Sequence, residues 1–250
     1  MTLEVLGTGD PVVFIHAGLG ADWFADLVRR PALREYQLIR YHRSGYAGSD
    51  RVDGPLSIAQ QAEHCRAVLQ RLGIAAAHVV GHSSGASIAL QLAIDHPRCV
   101  RSLALLETAL LTVPSGPFAG QAVQQFGAGD AASAVDTWLR GVAGPGYRAV
   151  LDRVLPGAFD QAIADAGTFF GQELPAVRAW TLKSTVEHPV LLVLGEHSNR
   201  VSPVYAERHE LLLSRLPNAQ PFVLPEATHL LHLQNPDALA ERLQRFLRGT

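Results

Sequence analysis

The stretch Ala77-His-Val-Val-Gly-His-Ser-Ser-Gly-Ala86 constrains this chain more than any other. Apolar residues run into Gly81-His82-Ser83-Ser84-Gly85, and Ala86 to Ala93 follows at helical spacing. That order reads as strand, very tight turn and helix, with the pattern G-x-S-x-G at the turn. Such a turn holds its serine in a strained conformation, so the flanking positions must be nearly free of side chain. It lifts the Ser83 hydroxyl clear of the sheet and aims the Ser84 N–H toward the place where an oxyanion would form. Ser83 is the candidate nucleophile and Ser84 a candidate oxyanion donor. The competing reading is a Gly/Ser-rich turn that merely caps a helix, which the strand before it and the helix after it disfavour.

The rest of the chain supplies more of the same alternation. Strands are expected at Leu3 to Leu6, Val12 to Ile15, Tyr36 to Tyr41, Val100 to Leu106, Val190 to Leu194 and Pro221 to Leu224. Helices are expected from Asp22 to Arg30, from the capping box Ser57-x-x-Gln60 to Leu72, and from Pro203 to Leu216. Asn235 as N-cap and Pro236 at the first helical position open the last helix. This predicts an α/β fold with a doubly wound, mostly parallel sheet. From about Leu110 to Thr185 the strand-like runs disappear, and helices broken at Gly141 to Gly146, at Pro156-Gly157 and at Pro175 are expected. That segment, residues 110–185, reads as a helical cap inserted into a core of residues 1–109 and 186–250. Its aromatics, Phe126, Trp138, Phe169, Phe170 and Trp180 among them, either line an apolar substrate pocket or form the cap's own core.

Composition narrows the class. In 250 residues, 48% are hydrophobic and 18% charged, with a formal net charge of −2. This favours one globular unit with an insertion and gives no footing for nucleic acid. Cys65 and Cys99 sit in no metal-ligand or disulfide spacing. The first residues show neither a charged leader with an apolar core nor a long apolar run. The expectation is a cytoplasmic protein with a small-molecule substrate, no metal or organic cofactor and no membrane partner, a homodimer being an open option.

Taken together, these pieces resemble the α/β-hydrolase family over everything except the cap. His16-Ala-Gly-Leu-Gly20 is similar to the family's His-Gly oxyanion loop, and Arg43-Ser-Gly-Tyr-Ala-Gly-Ser49 to its Arg-Gly-x-Gly-x-Ser loop. Gly81 to Gly85 matches its elbow, Gly195-Glu196 the turn after the strand that follows the cap, and Ala227-Thr-His229 its late histidine loop. The resemblance implies His229 as the general base among eleven histidines, with His232 three residues on. It implies a second oxyanion donor at Gly18, or at Ala17, which stands where the family usually has glycine. His16 and His82 are read as bracing residues, and His42-Arg43 as a structural pair.

The acid is the departure. The family usually places an aspartate a few residues past the strand ending at Leu194, and here Ser198 stands there, with no Asp from Pro189 to Pro236. Glu107, at the end of the neighbouring strand where some relatives carry their acid, is favoured over Glu196. The reading is a serine hydrolase of carboxylic esters, lactones or thioesters. Two alternatives stay open: a non-hydrolytic or carbon–carbon bond-cleaving enzyme, and a ligand-binding receptor on the same scaffold.

Overall fold

The computed structural model describes residues 2–113 and 115–250. Seven strands form one sheet: β1 (Leu3–Leu6), β2 (Asp10–Ile15), β3 (Tyr36–Tyr41), β4 (Ala77–His82), β5 (Val100–Leu106), β6 (Val190–Gly195) and β7 (Ala219–Leu224). Their spatial order is β1-β3-β2-β4-β5-β6-β7. β1 runs antiparallel to β3 and every other neighbouring pair is parallel. The parallel pairs send the carboxyl ends of β2, β4, β5 and β6 to one edge, where this kind of sheet holds its ligand.

Alternation along each strand divides the core between the two faces. Val13, Ile15 and Val79 face a cluster with α1 (Ile58–Arg71) and α2 (Ser84–Asp95). Val12, Phe14 and Val80 face the opposite cluster with the last helix, Pro236–Leu247. The Ser57 capping box and the Asn235 cap both form.

The Asp22 to Arg30 helix is corrected. The chain there makes a series of turns and the single 3-10 turn Leu27–Arg29. Bonds one residue shorter than α-helical ones dominate: Trp23 N to Gly20 O, Ala25 N to Asp22 O and Arg29 N to Asp26 O. Asp22 is drawn outward, since its Oδ1 accepts from Arg40 Nη1 at 2.7 Å and hydrogen-bonds to His42 Nε2 at 2.9 Å.

Between β5 and β6 the described residues form helices, including Phe118–Gly127, Ala131–Ala143, Tyr147–Val154 and Ala158–Ala164. Pro175 does not break a helix, as expected from sequence, but lies in the first turn of the helix Leu174–Ala179. A five-residue π-helix, Phe169–Glu173, precedes it. Proline has no N–H to continue the ladder backwards, and the chain takes up the difference by widening its turn.

That wide turn delivers Glu173 to the sheet. Its carboxylate accepts both a bidentate contact from Arg43 Nη2, at 3.0 and 2.9 Å, and the Tyr46 hydroxyl. Both partners of the ion pair are 2% exposed. Asp165 accepts from the Ala47 N–H, and Thr168 Oγ1 donates to the Gly45 carbonyl, so the same edge is tied down three times. Removing one partner of a buried pair strands the other charge, which costs about 3–5 kcal/mol. Glu173→Ala is therefore expected to lower unfolding free energy by about that amount. Pairing it with Arg43→Met should return most of the loss, as read by urea denaturation of all four proteins.

Candidate active site

The elbow forms as the sequence requires. Ser83 sits at φ 54° and ψ −117°, between the end of β4 and the start of α2. A Cβ on Gly85 would lie 2.1 Å from the Ile15 carbonyl oxygen, and one on Gly81 would lie 2.6 Å from Ala86 Cα. Only glycine fits either position. The strain at Ser83 is held by its neighbours: its N–H donates to the Leu106 carbonyl and its carbonyl accepts from the Ala109 N–H.

The next strand end carries Glu107, also at positive φ, 45°. Its side chain is buried, and both carboxylate oxygens are hydrogen-bonded. Oε1 accepts from the Gly195 N–H at 2.8 Å and from the Ser198 hydroxyl at 2.5 Å. Oε2 lies 2.7 Å from His229 Nδ1. Ser198, at the position where an aspartate was expected, thus serves a carboxylate that comes from the neighbouring strand. Glu196 lies elsewhere: its Oε2 accepts from the Glu226 N–H, and its side chain is half exposed.

His229 reaches this position from the loop after β7. Thr228 pins that loop, its N–H donating to Gln234 Oε1 and its hydroxyl to the Ala143 carbonyl. His82 Nε2 hydrogen-bonds to the His229 carbonyl at 2.9 Å, which ties the residue before Ser83 to the backbone of His229. That carbonyl accepts, so Nε2 of His82 is the protonated nitrogen. Ser83, Ser84 and His229 line one cavity. Among the described residues no direct hydrogen bond joins the Ser83 hydroxyl to the His229 ring. Such contacts commonly tighten only in the substrate complex.

The loop after β2 supplies a further amide. Arg43 N–H donates to His16 Nε2, so His16 Nδ1 carries the proton and donates to the Ala17 carbonyl at 2.7 Å. Holding that carbonyl turns the other side of the peptide, the Gly18 N–H, toward the elbow. There it donates to Ser84 Oγ at 3.0 Å. His16 braces the loop, as the sequence suggested. Burial keeps its ring neutral, with the Arg43 charge adding to the effect.

The cavity is small, about 40 Å³, and the helical segment supplies part of its wall. Of the five aromatic residues singled out from sequence, Trp138 and Phe169 line it. Phe126 and Phe170 do not; they stack on each other with ring centroids 5.1 Å apart. Trp180 packs in the sheet's own core and donates to Gln91 Oε1. The sequence reading missed Trp23, Tyr205 and Arg208 in the cavity wall. A signal for Arg208 was available: it lies on the buried stripe Val204, Tyr205, Arg208, Leu212 of the helix Val204–Arg215, where an apolar residue is the rule.

Residues 12–242 match the family model described as "Alpha/beta hydrolase family". The chain belongs to that family. Among relatives, the hydrolase named "Putative carbamate hydrolase RutD" of Klebsiella pneumoniae subsp. pneumoniae is 44% identical over 103 residues, covering 39% of this chain and 38% of that protein. The match thus spans well under half the length of that relative. "Putative non-heme bromoperoxidase BpoC" of Mycobacterium tuberculosis is 27% identical over 263 residues, covering 96% of this chain and 94% of that one. The solved structure of Est816, described as an N-acyl homoserine lactone degrading enzyme, superposes with a TM-score of 0.78 at 26% identity, covering 98% of this chain and 95% of its own. Among the described residues of this hydrolase-family chain, no helix is long and apolar enough to cross a membrane, and no group of three or more His, Cys, Asp or Glu side chains is placed to hold a metal ion.

Beneath the elbow lies a cluster of neutral imidazoles. His232 is fully buried, with its ring centroid 4.5 Å from that of His82. Burial, reinforced by His229, pushes its pKa down to about 3. The unfolded chain takes up this proton near pH 6.5, and the folded chain refuses it until about pH 3. Stability is therefore complete above about pH 6.5 and is lost as pH falls, at ~1.4 kcal/mol per pH unit for each such histidine. Urea unfolding at pH 7 and pH 5 is expected to show the loss, and His232→Leu to flatten it by one proton's worth.

Proposed function

We propose that this chain is a serine hydrolase that cleaves a carboxylic ester, lactone or thioester through an acyl-enzyme on Ser83. The observation that carries the reading is the Glu107–His229 hydrogen bond, formed beside the elbow in a cavity that Ser83 also lines. An imidazole whose Nδ1–H is held by a buried carboxylate presents its other nitrogen as a base. Family membership and the lactone-degrading Est816 support the same reaction class.

In this reading His229 Nε2 takes the Ser83 proton as Oγ attacks the substrate carbonyl. Glu107 fixes the ring and stabilises the imidazolium that forms. The developing oxyanion accepts from the Ser84 N–H and from the Gly18 N–H, displacing the Ser84 hydroxyl from the latter. Gly18 fits this role better than Ala17, because the Ala17–Gly18 peptide is already oriented by His16. Collapse breaks the ester bond, and His229 returns its proton to the departing alcohol or thiol. Water then repeats the sequence on the acyl-enzyme. The helical segment acts as a cap whose Trp138 and Phe169 give the acyl or alcohol group an apolar wall.

Intact-mass measurement after exposure to a fluorophosphonate tests the reading. Wild type should gain one adduct, Ser83→Ala none, and Glu107→Gln should react far more slowly. With an activated ester, Ser83→Ala should lose about five orders of magnitude or more in kcat. Glu107→Gln should lose about three to four orders, and Glu196→Gln should stay within a few-fold of wild type. No adduct on folded wild type, or a larger loss in Glu196→Gln than in Glu107→Gln, would sink the assignment. Ser198→Ala removes one donor from the Glu107 carboxylate and is expected to cost about tenfold or more in kcat with KM nearly unchanged, since a hydrogen bond to a charged group contributes about 1.5–3 kcal/mol.

A further inference from the structure

Among the described residues two arginines are buried, and the fold treats them differently. Arg43 is neutralised by the bidentate Glu173 carboxylate. Arg208, 7% exposed, has no carboxylate within ion-pair distance among the described residues. Its Nε donates to the Leu110 carbonyl at 3.1 Å, and its Nη2 to the Val113 carbonyl and Ser115 Oγ, both at 2.8 Å. Glu107, the nearest buried carboxylate that acts on it, is already engaged by His229, Gly195 and Ser198. Glu207 is exposed on the same helix. Burial accordingly lowers the Arg208 pKa, whereas that of Arg43 is raised with Glu173 beside it.

Arg208 and Ser115 both line the cavity that holds Ser83 and His229, and most of the remaining wall is apolar. Of the five guanidinium N–H groups, the two on Nη1 bond to no acceptor among the described residues. Ser115 Oγ accepts from Nη2 and keeps its own proton to donate. A buried cation without a counter-ion is costly, and a ligand that brings the missing negative charge recovers that cost.

We propose that Arg208 and Ser115 form an anion subsite, and that the substrate carries a carboxylate within a few carbons of its scissile carbonyl. The inference rests on the hydrolase reading and narrows it to acidic esters, lactones or thioesters. The carboxylate accepts from Arg208 Nη1 and from the Ser115 hydroxyl. The apolar wall takes the short carbon chain between the anion and the reacting group.

The test compares monomethyl glutarate with methyl pentanoate, which have similar lengths and differ in the terminal carboxylate. Wild type should favour the half-ester in kcat/KM. Arg208→Gln should lower kcat/KM for the half-ester about a hundredfold, mainly through KM, and leave methyl pentanoate within about threefold. Arg208→Lys should restore part of the preference. Ser115→Ala, which keeps the guanidinium and its hold on residues 110 and 113, should cost about tenfold on the half-ester alone. A wild type without preference, or variants that lose both esters equally, overturns the subsite and leaves Arg208 as a clasp on the chain after β5. Calorimetric titration of glutarate separates this from the hydrolase reading. Glutarate binding that disappears in Arg208→Gln supports the subsite even if neither ester is turned over, and no glutarate binding to wild type overturns it.

Discussion

The contact on which the site depends is a close approach of two backbones. The first turn of α2 presses against the end of β2 so tightly that Gly85 leaves no room for a methyl group beside the Ile15 carbonyl. This approach lets the chain reverse at Ser83 with a left-handed φ. It also brings the loop after β2 within hydrogen-bond reach of Ser84. Ser83 and the Gly18 amide are thus set by one packing constraint. The hydrogen bonds that join Ser83 to Leu106 and Ala109 then carry the constraint across to β5, and so to Glu107.

A second layer of the design is how the polar groups around Glu107 and His16 are satisfied. Glu107 reaches its place because Gly195 and Ser198 accept the role of donors where a loop carboxylate would have stood. A second acidic group at residue 198 would face Glu107 at hydrogen-bond distance, and two like charges so close would not both ionise. Serine at that position and glutamate on the neighbouring strand are therefore a matched pair. The same economy of partners is visible at His16, whose single ring orients the Ala17–Gly18 peptide while accepting from Arg43.

Much of this was legible in the sequence, and the exceptions have physical causes. The elbow, the strands and the caps rest on local rules: glycine where a side chain cannot fit, apolar runs where both faces are covered, Ser57 and Asn235 where helix amides need acceptors. Glu107 could be named because its strand end is adjacent to the elbow in any sheet of this topology. The Asp22 to Arg30 segment failed because Asp22 is committed to Arg40 and His42 across the sheet edge, a tertiary contact that local spacing does not reveal. Phe126, Phe170 and Trp180 failed because an aromatic side chain looks the same in sequence whether it faces a cavity or a core. Glu173 and Arg208 went unremarked although each lies on an otherwise buried stripe of its helical segment. A charge on an apolar stripe is a question about its partner, and only three dimensions answer it.

The mounting of Glu107 has a mechanical consequence. The proposed acid projects from the residue after β5, and two donors hold the oxygen that does not face the histidine, so both carboxylate oxygens are fixed in place. His229 sits in the loop after β7, and that loop is fastened to the elbow by His82 and to the helical segment by Thr228. The Thr228–Ala143 bond thus couples the candidate base directly to the helical segment, whereas both oxygens of Glu107 bond only to the sheet edge and the histidine.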